Sequence, residues 1–414
     1  MNIEQHSHVF PNGLVLAAET MPALKSAAFT ILTPAGAAFE RASSGGAASM
    51  CAEWVTRGAG GRDSRALIAA LDNLGVSHGE SAQTVHTNLW AATLGRNAFA
   101  ALALFADILT KPALDNDEVE PIRALALQNL RGLDDDPGSK VIHELRKRHF
   151  PDPWGRNSAG TPEGIEQTTA EELRQFHADN YRPNGTILAV AGAVDWPRLR
   201  DEVERLLGDW PQRDEPVVEE HASGSPREHI TRDTQQIQIA LAFDAADVAG
   251  PDYYRARALA GVLGGYSSAR LFTEVREKRG LCYSVYAGYE SLRGRGAIYC
   301  HAGTSSDRAQ ETLDVTLAEI DRLGREGIAR AELDMMRAGL KSSLIMQQES
   351  TSGRSASIAS DWYYLGRMRT LEEISSKLDE LTPESVGAYA AELGRGPRTI
   401  VTLGPRPLVI PGES

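Results

Sequence analysis

Hydrophobic positions along this chain follow two periods. The stretches HVFPNGLVLAAE (8–19), SAAFTILTPAG (26–36) and TNLWAATLG (87–95) alternate or run apolar over short lengths, which predicts strands. AFAALALFADIL (98–109) and AQETLDVTLAEIDRL (309–323) repeat their apolar residues at helical spacing. Strands follow one another across turn residues and helices come in runs. That order predicts an α+β fold in which antiparallel sheets are each covered by helices on one face. The other face of each sheet is then left to solvent or to a cavity.

The periodicity breaks in the middle of the chain. Residues 211–228, PQRDEPVVEEHASGSPRE, hold three prolines and a glycine among acidic residues and keep neither period. They read as an exposed linker between an N-terminal domain, 1–210, and a C-terminal domain, 229–414. The two halves look like copies. The helix at 98–109 is matched at 309–323, and DEVEPIRALALQNL (117–130) is matched by AELDMMRAGLKSSL (331–344). From Thr169 the chain runs TAEELRQFHADNYRPNGTILAVAG, and from Thr382 TPESVGAYAAELGRGPRTIVTLG: in each, a threonine cap, a helix, a turn and an apolar strand ending in glycine. Three matched elements at offsets of about 211–214 residues are too far apart for a solenoid unit and imply two homologous domains.

Composition narrows the function classes. The chain is 42% hydrophobic and 24% charged, an ordinary globular balance, with a formal net charge of -13. That acidity argues against nucleic-acid binding. The one basic cluster, Arg146, Lys147, Arg148 and His149, reads as a solvated helix end. Three widely spaced cysteines, Cys51, Cys282 and Cys300, make neither a disulfide framework nor a zinc ribbon and read as small buried hydrophobes of a reducing compartment. No basic-then-apolar leader opens the sequence and no apolar run approaches the ~18 residues of a membrane span. The expectation is a cytoplasmic protein, or a periplasmic one if a targeting segment has been removed.

Candidate chemistry centres on the helix GGAASMCAEWVTRGAGG (45–61), which ends in a glycine cluster. Met50, Glu53 and Trp54 stand there at i, i+3 and i+4. In the second half, LGGYSSARLFTEVREKRGLCYSVYAGY (263–289) is the most specific string in the chain. This string, the helix and the order of elements resemble the pitrilysin/insulinase family of zinc metallopeptidases, in particular its mitochondrial-processing-peptidase branch and bacterial relatives. The family carries H-x-x-E-H on this helix, with two zinc-binding histidines, a general-base glutamate, and a third ligand about 75 residues on. By the resemblance those places fall on Met50, Trp54, Glu53 and Asn129.

Those residue types do not suit zinc. A thioether prefers softer metals, an indole N–H is a donor only, and an asparagine is a weak neutral ligand. No pair among the ten histidines stands at i, i+4 to rebuild a site, and no Ser/His/Asp or Cys/His constellation is legible. The second-half signature, by contrast, is retained. The resemblance implies that Arg276 and Tyr283 line a peptide chamber and contact the substrate backbone near the scissile bond. A guanidinium fork suits a carbonyl or carboxylate, and a phenol can donate to a developing oxyanion. The family's substrate-pairing edge strand corresponds to 75–89, where Gly79 and Glu80 replace its usual Asn-Ala.

The expectation is therefore a non-catalytic subunit of a heterodimeric peptidase. It would have no metal of its own, with zinc held by a homologous partner that carries an intact H-x-x-E-H motif. Its ligands would be peptides, not nucleic acid or membrane. The alternative is a purely structural or peptide-binding subunit.

Overall fold

Alternating and helical segments fold as their periods require in the computed structural model, which describes residues 3–41, 44–394 and 396–410. Arg395, inside the second of the matched cap–helix–strand strings, lies outside them. In chain order the main elements are β1 (Glu4–Val9), β2 (Val15–Thr20), β3 (Ser26–Thr33), α1 (Ala47–Val55), β4 (Ser77–Ala82), β5 (Thr87–Leu94), α2 (Ala98–Thr110), α3 (Val119–Asp134), α4 (Pro137–His149), α5 (Ala170–Asn180) and β6 (Ile187–Gly192). They continue with β7 (Arg227–Thr231), β8 (Gln236–Ala245), α6 (Tyr253–Gly264), β9 (Cys282–Leu292), β10 (Arg295–Ser305), α7 (Ala309–Glu326), α8 (Arg330–Gln348), α9 (Thr351–Leu365), α10 (Pro383–Leu393) and β11 (Arg398–Gly404).

Two sheets result. The first runs β1-β2-β6-β3-β5-β4 and the second β9-β10-β8-β11-β7. Read from its other end, the second repeats the order of the first without β1. Both are mixed: β2 lies parallel to β6 and β7 parallel to β11, and every other pairing in the two sheets is antiparallel. The parallel pairs arise because the last strand of each half returns after a helix rather than a hairpin.

The chain divides into two compact units, but these are not its two contiguous halves. The first comprises 1–132, 156–220 and 346–369; the second comprises 133–155, 221–345 and 370–414. Helix α4 from the first half belongs to the second unit, and α9 from the second half belongs to the first. These two helices stand at equivalent places in the repeat, so the exchange is reciprocal.

The exchanged helices fill the sheet faces that the sequence left open. In the second unit Ile237, Ile239, Leu241 and Phe243 of β8 join a core with Leu259, Leu263, Leu313 and Val386. The alternate residues Ala240 and Ala242, with Val401 and Leu403 of β11, take Val141 and Leu145 of α4. Side chains that alternate across a strand place α4 on the face opposite the unit's other helices. In the first unit Phe29 meets Phe105 edge-on at 5.0 Å on one face. On the other, Ala17, Ile187, Ala189 and Ala191 receive Ile358 and Ala359 of α9. Alanine-rich strands let a helix approach closely without leaving voids.

Polar contacts fix both helices. The Arg354 guanidinium lies 2.8 Å from the Glu19 carboxylate, with both side chains buried, and the Ser355 and Thr30 hydroxyls are 2.9 Å apart. On α4 the basic end is not solvated, contrary to the reading of 146–149 as a free helix end. Arg146 pairs with Glu290 at 2.5 Å and Arg148 with Glu228 at 3.0 Å. The His149 Nδ1 lies 3.1 Å from the Thr399 hydroxyl. Only Lys147 of the four is exposed. Sequence could not show this, because the acids and the hydroxyl stand on strands far along the chain. The three cysteines are free thiols and all are buried. Among the described residues no helix is long and apolar enough to cross a membrane.

Candidate functional site

Helix α1 begins at Gly46, whose φ of +114° favours glycine and where a Cβ would meet Ile165 at 2.6 Å. Gly46 offers no side-chain cap, so Glu40 supplies one. Its carboxylate accepts from the Gly46 N–H at 3.1 Å and the Ala48 N–H at 2.7 Å. Burial pushes the Glu40 carboxyl up to about 7, while these two N–H groups and Arg156 oppose the rise.

The helix is apolar on most of its circumference. Met50 and Trp54 are fully buried. The Trp54 indole N–H donates to the Asp115 carbonyl at 2.9 Å, and the Arg174 guanidinium covers its ring at 5.4 Å. These two residues are core, out of reach of any metal or substrate. The partly open stripe is Ser49, Glu53, Thr56 and Arg57. The metal face expected at Met50 and Trp54 is therefore corrected by one residue: the accessible i, i+4 pair is Ser49 and Glu53. The burial pattern was latent in the sequence, since Ala47, Ala48, Cys51, Ala52 and Val55 leave only that stripe polar.

Neither set of residues fits zinc. The Ser49 hydroxyl donates to the Gly46 carbonyl at 3.0 Å. Glu53 accepts from Arg57 through Nε at 2.8 Å and lies 2.5 Å from Nη2. Ala52 stands one turn on from Ser49, where a general base would be needed, and is buried. Asn129 lies exposed on α3. Among the described residues no three His, Cys, Asp or Glu side chains gather as metal ligands. The guanidinium of Arg57 is the cation that Glu53 faces instead. Glu80 of β4 is close enough to feel both charges: burial first, then Glu53, push its carboxyl up to about 7 against the pull of Arg57. Its neighbour Gly79 is forced, because a Cβ there would lie 2.9 Å from the Trp90 indole. Strand β4 is an outer strand of its sheet, with one edge unpaired.

The second candidate group lies in the second unit. The string 263–289 folds as the end of α6, a turn with π-helical bonding at Phe272–Glu277, and β9. Such turns are rare and recur at functional sites. On β9 the ladder slips between Cys282 and Ser284, which pair with Thr304 and Gly303. Tyr283 is the extra residue of this bulge, and its side chain is 81% exposed. The Arg276 guanidinium lies 4.6 Å from the Phe272 ring and 5.4 Å from the Tyr283 ring. The pair expected from sequence is thus brought together, stacked, with the phenol outward. Acidic neighbours do not neutralise it. Glu274 instead takes Lys278 at 2.7 Å and Arg279 at 2.8 Å, and these bonds hold its carboxyl down at about 2. Among the described residues no carboxylate pairs with Arg276. An unpaired guanidinium beside an exposed phenol is a donor pair suited to a peptide carbonyl or carboxylate.

Two family profiles match this architecture in order along the chain. One, described as insulinase (peptidase family M16), takes in residues 15–157, and the other, described as the peptidase M16 inactive domain, takes in 167–340. The chain belongs to the M16 peptidase family. M16 relatives extend over nearly its full length. An uncharacterised zinc protease of Mycobacterium tuberculosis is 28% identical over 402 residues, covering 95% of this chain and 92% of its own. Another from Bacillus subtilis is 27% identical over 389 residues, covering 92% and 94%. Among solved structures, a peptidase M16 inactive domain from Pseudomonas fluorescens superposes with a TM-score of 0.90 at 24% identity, over 99% of this chain and all of that one. A protease from Helicobacter pylori superposes at 0.89 and 19% identity. These likenesses show the two-domain α+β M16 fold.

Proposed function

We propose that this chain is the zinc-less subunit of a two-chain M16 metallopeptidase, in which a homologous partner with an intact H-x-x-E-H motif holds the metal. In this reading Arg276 and Tyr283 meet the substrate backbone and β4 offers an edge for an extended peptide. One observation carries it: the helix that bears the metal motif in the family opens Ser49, Glu53 and Arg57 to the surface, while Tyr283 is lifted out on a bulge beside an arginine that has no acid partner among the described residues. Loss on one side and presentation on the other favour a division of labour over a wholly inert scaffold.

The test is reconstitution. The chain, purified from its native cell, should bring with it a homologue carrying H-x-x-E-H. Each chain alone should be inactive and the mixture should cleave peptides. A mixture no faster than the homologue alone would leave the structural or peptide-binding reading in its place.

A further inference from the structure

A cleft of about 490 Å³ opens in the second unit beside the strand that carries Tyr283. Its lining includes Asp136 and Gly138 at the start of α4, Gln236 and Gln238 at the start of β8, Ser284 of β9 and His301 of β10. Ser284 follows Tyr283 directly, so their Cα atoms are ~3.8 Å apart.

The cleft is built around one chain of hydrogen bonds. The Nε2 of His301 lies 3.1 Å from the Gln238 side-chain oxygen, and the Gln238 amide nitrogen donates to the Gln236 side-chain oxygen at 3.4 Å. His301 is only 7% exposed, and among the described residues its Nδ1 has no hydrogen-bond partner. Burial drives its pKa down to about 4, so the ring is neutral at pH 7. It therefore donates from Nε2, and the relay leaves the Gln236 amide N–H₂ as its outer end. Gly303 clears the space, because a Cβ there would sit 3.0 Å from the Gln238 oxygen and 3.3 Å from the Ser284 hydroxyl. The one acid in the lining, Asp136, is engaged within its own helix. Asp136 accepts from the Gly138 N–H at 3.1 Å and the Ser139 hydroxyl at 2.6 Å as the cap of its own helix.

A cleft whose one acid is engaged as a helix cap, and whose other polar groups are amides, hydroxyls and a neutral imidazole, complements an uncharged amide or hydroxyl. An anion would meet Asp136 without a counter-charge, and an apolar side chain would leave the glutamines unpaired. We infer that the cleft takes an uncharged amide or hydroxyl side chain of an extended peptide, selecting the residue that accompanies the carbonyl held at Tyr283. This rests on the reading that Tyr283 contacts peptide.

The experiment measures binding of fluorescent decapeptides to the full chain, the peptides differing only in Gln, Ser, Leu, Lys or Glu at one position that is moved along the sequence. At one register Gln or Ser should bind about tenfold tighter than Leu, Lys or Glu, in line with one or two hydrogen bonds; a Lys peptide that binds as tightly as Gln overturns the inference. Gln238→Leu should bring that ratio near one, and the exposed Gln236→Ala should reduce it severalfold without touching the core. Tyr283→Phe should weaken all peptides alike and keep the ratio. Equal affinities at every register, no binding to any peptide, or a ratio that survives both glutamine variants overturns the inference. If the reconstituted pair still cleaves under any of those outcomes, the proposed function stands and only the cleft's role falls.

Discussion

At the residue scale, the first question is what each candidate side chain is free to do. Tyr283 has its ring in solvent, so Tyr283→Phe should leave the melting temperature unchanged, since exposed substitutions fall within ~0.5 kcal/mol. In a reconstituted pair it should lower kcat by about 10²–10³ if the phenol donates to the oxyanion. An unchanged rate removes that role. Trp54 is the converse. Trp54→His should cost ~3–5 kcal/mol by emptying the core and breaking the bond to Asp115, and equilibrium dialysis should find no zinc. Charge at Glu80 has a pH signature. Its folded pKa, near 7, lies above the unfolded value, so whatever stability its protonated form lends is lost as pH rises from 4.5 through 7. Glu80→Gln should therefore raise the melting temperature at pH 8 and have little effect at pH 5; equal shifts at both would contradict the burial. Arg276 and Tyr283 could be singled out because the string around them is long and specific, and the structure shows only that they lie side by side. The face of α1 was harder to read, because Met50 and Trp54 pack inward like any apolar residue while the family spacing can be laid down one residue off.

At the element scale, strands and helices were legible from period alone, and so was their duplication. What the patterns could not show was where α4 and α9 dock. Ile358, Ala359 and Val141, Leu145 read as one apolar stripe each, and a stripe does not say which sheet it covers. Nor could they show the parallel pairs, which depend on the return path of β6 and β11. The polar anchors give the docking a measurable weight. Arg354→Ala strands Glu19 as an unpaired buried charge and should destabilise the protein by about 3–5 kcal/mol in denaturant unfolding. Replacing both partners with apolar residues of like size should recover most of that loss. A double variant as weak as the single one would mean that the loss comes from Arg354's own contacts and not from a stranded Glu19 charge.

At the scale of the whole molecule, two copies of one fold have each given up a helix to the other unit. Separately expressed fragments 1–220 and 221–414 should therefore each expose an alanine-rich apolar sheet face. Each alone should aggregate or bind a hydrophobic dye, and mixing during refolding should give a soluble complex. Two independently stable, monomeric fragments would show that the exchange is dispensable. The same exchange orders events on the ribosome. The first sheet is complete by Gly192, yet the helix that seals its second face is encoded at Thr351–Leu365. At ~5–20 residues/s, the nascent chain waits on the order of ten seconds with that surface bare. The N-terminal half thus matures only when the C-terminal half is nearly made, and a chain that stalls between them leaves the ribosome as a ready substrate for chaperones and proteases.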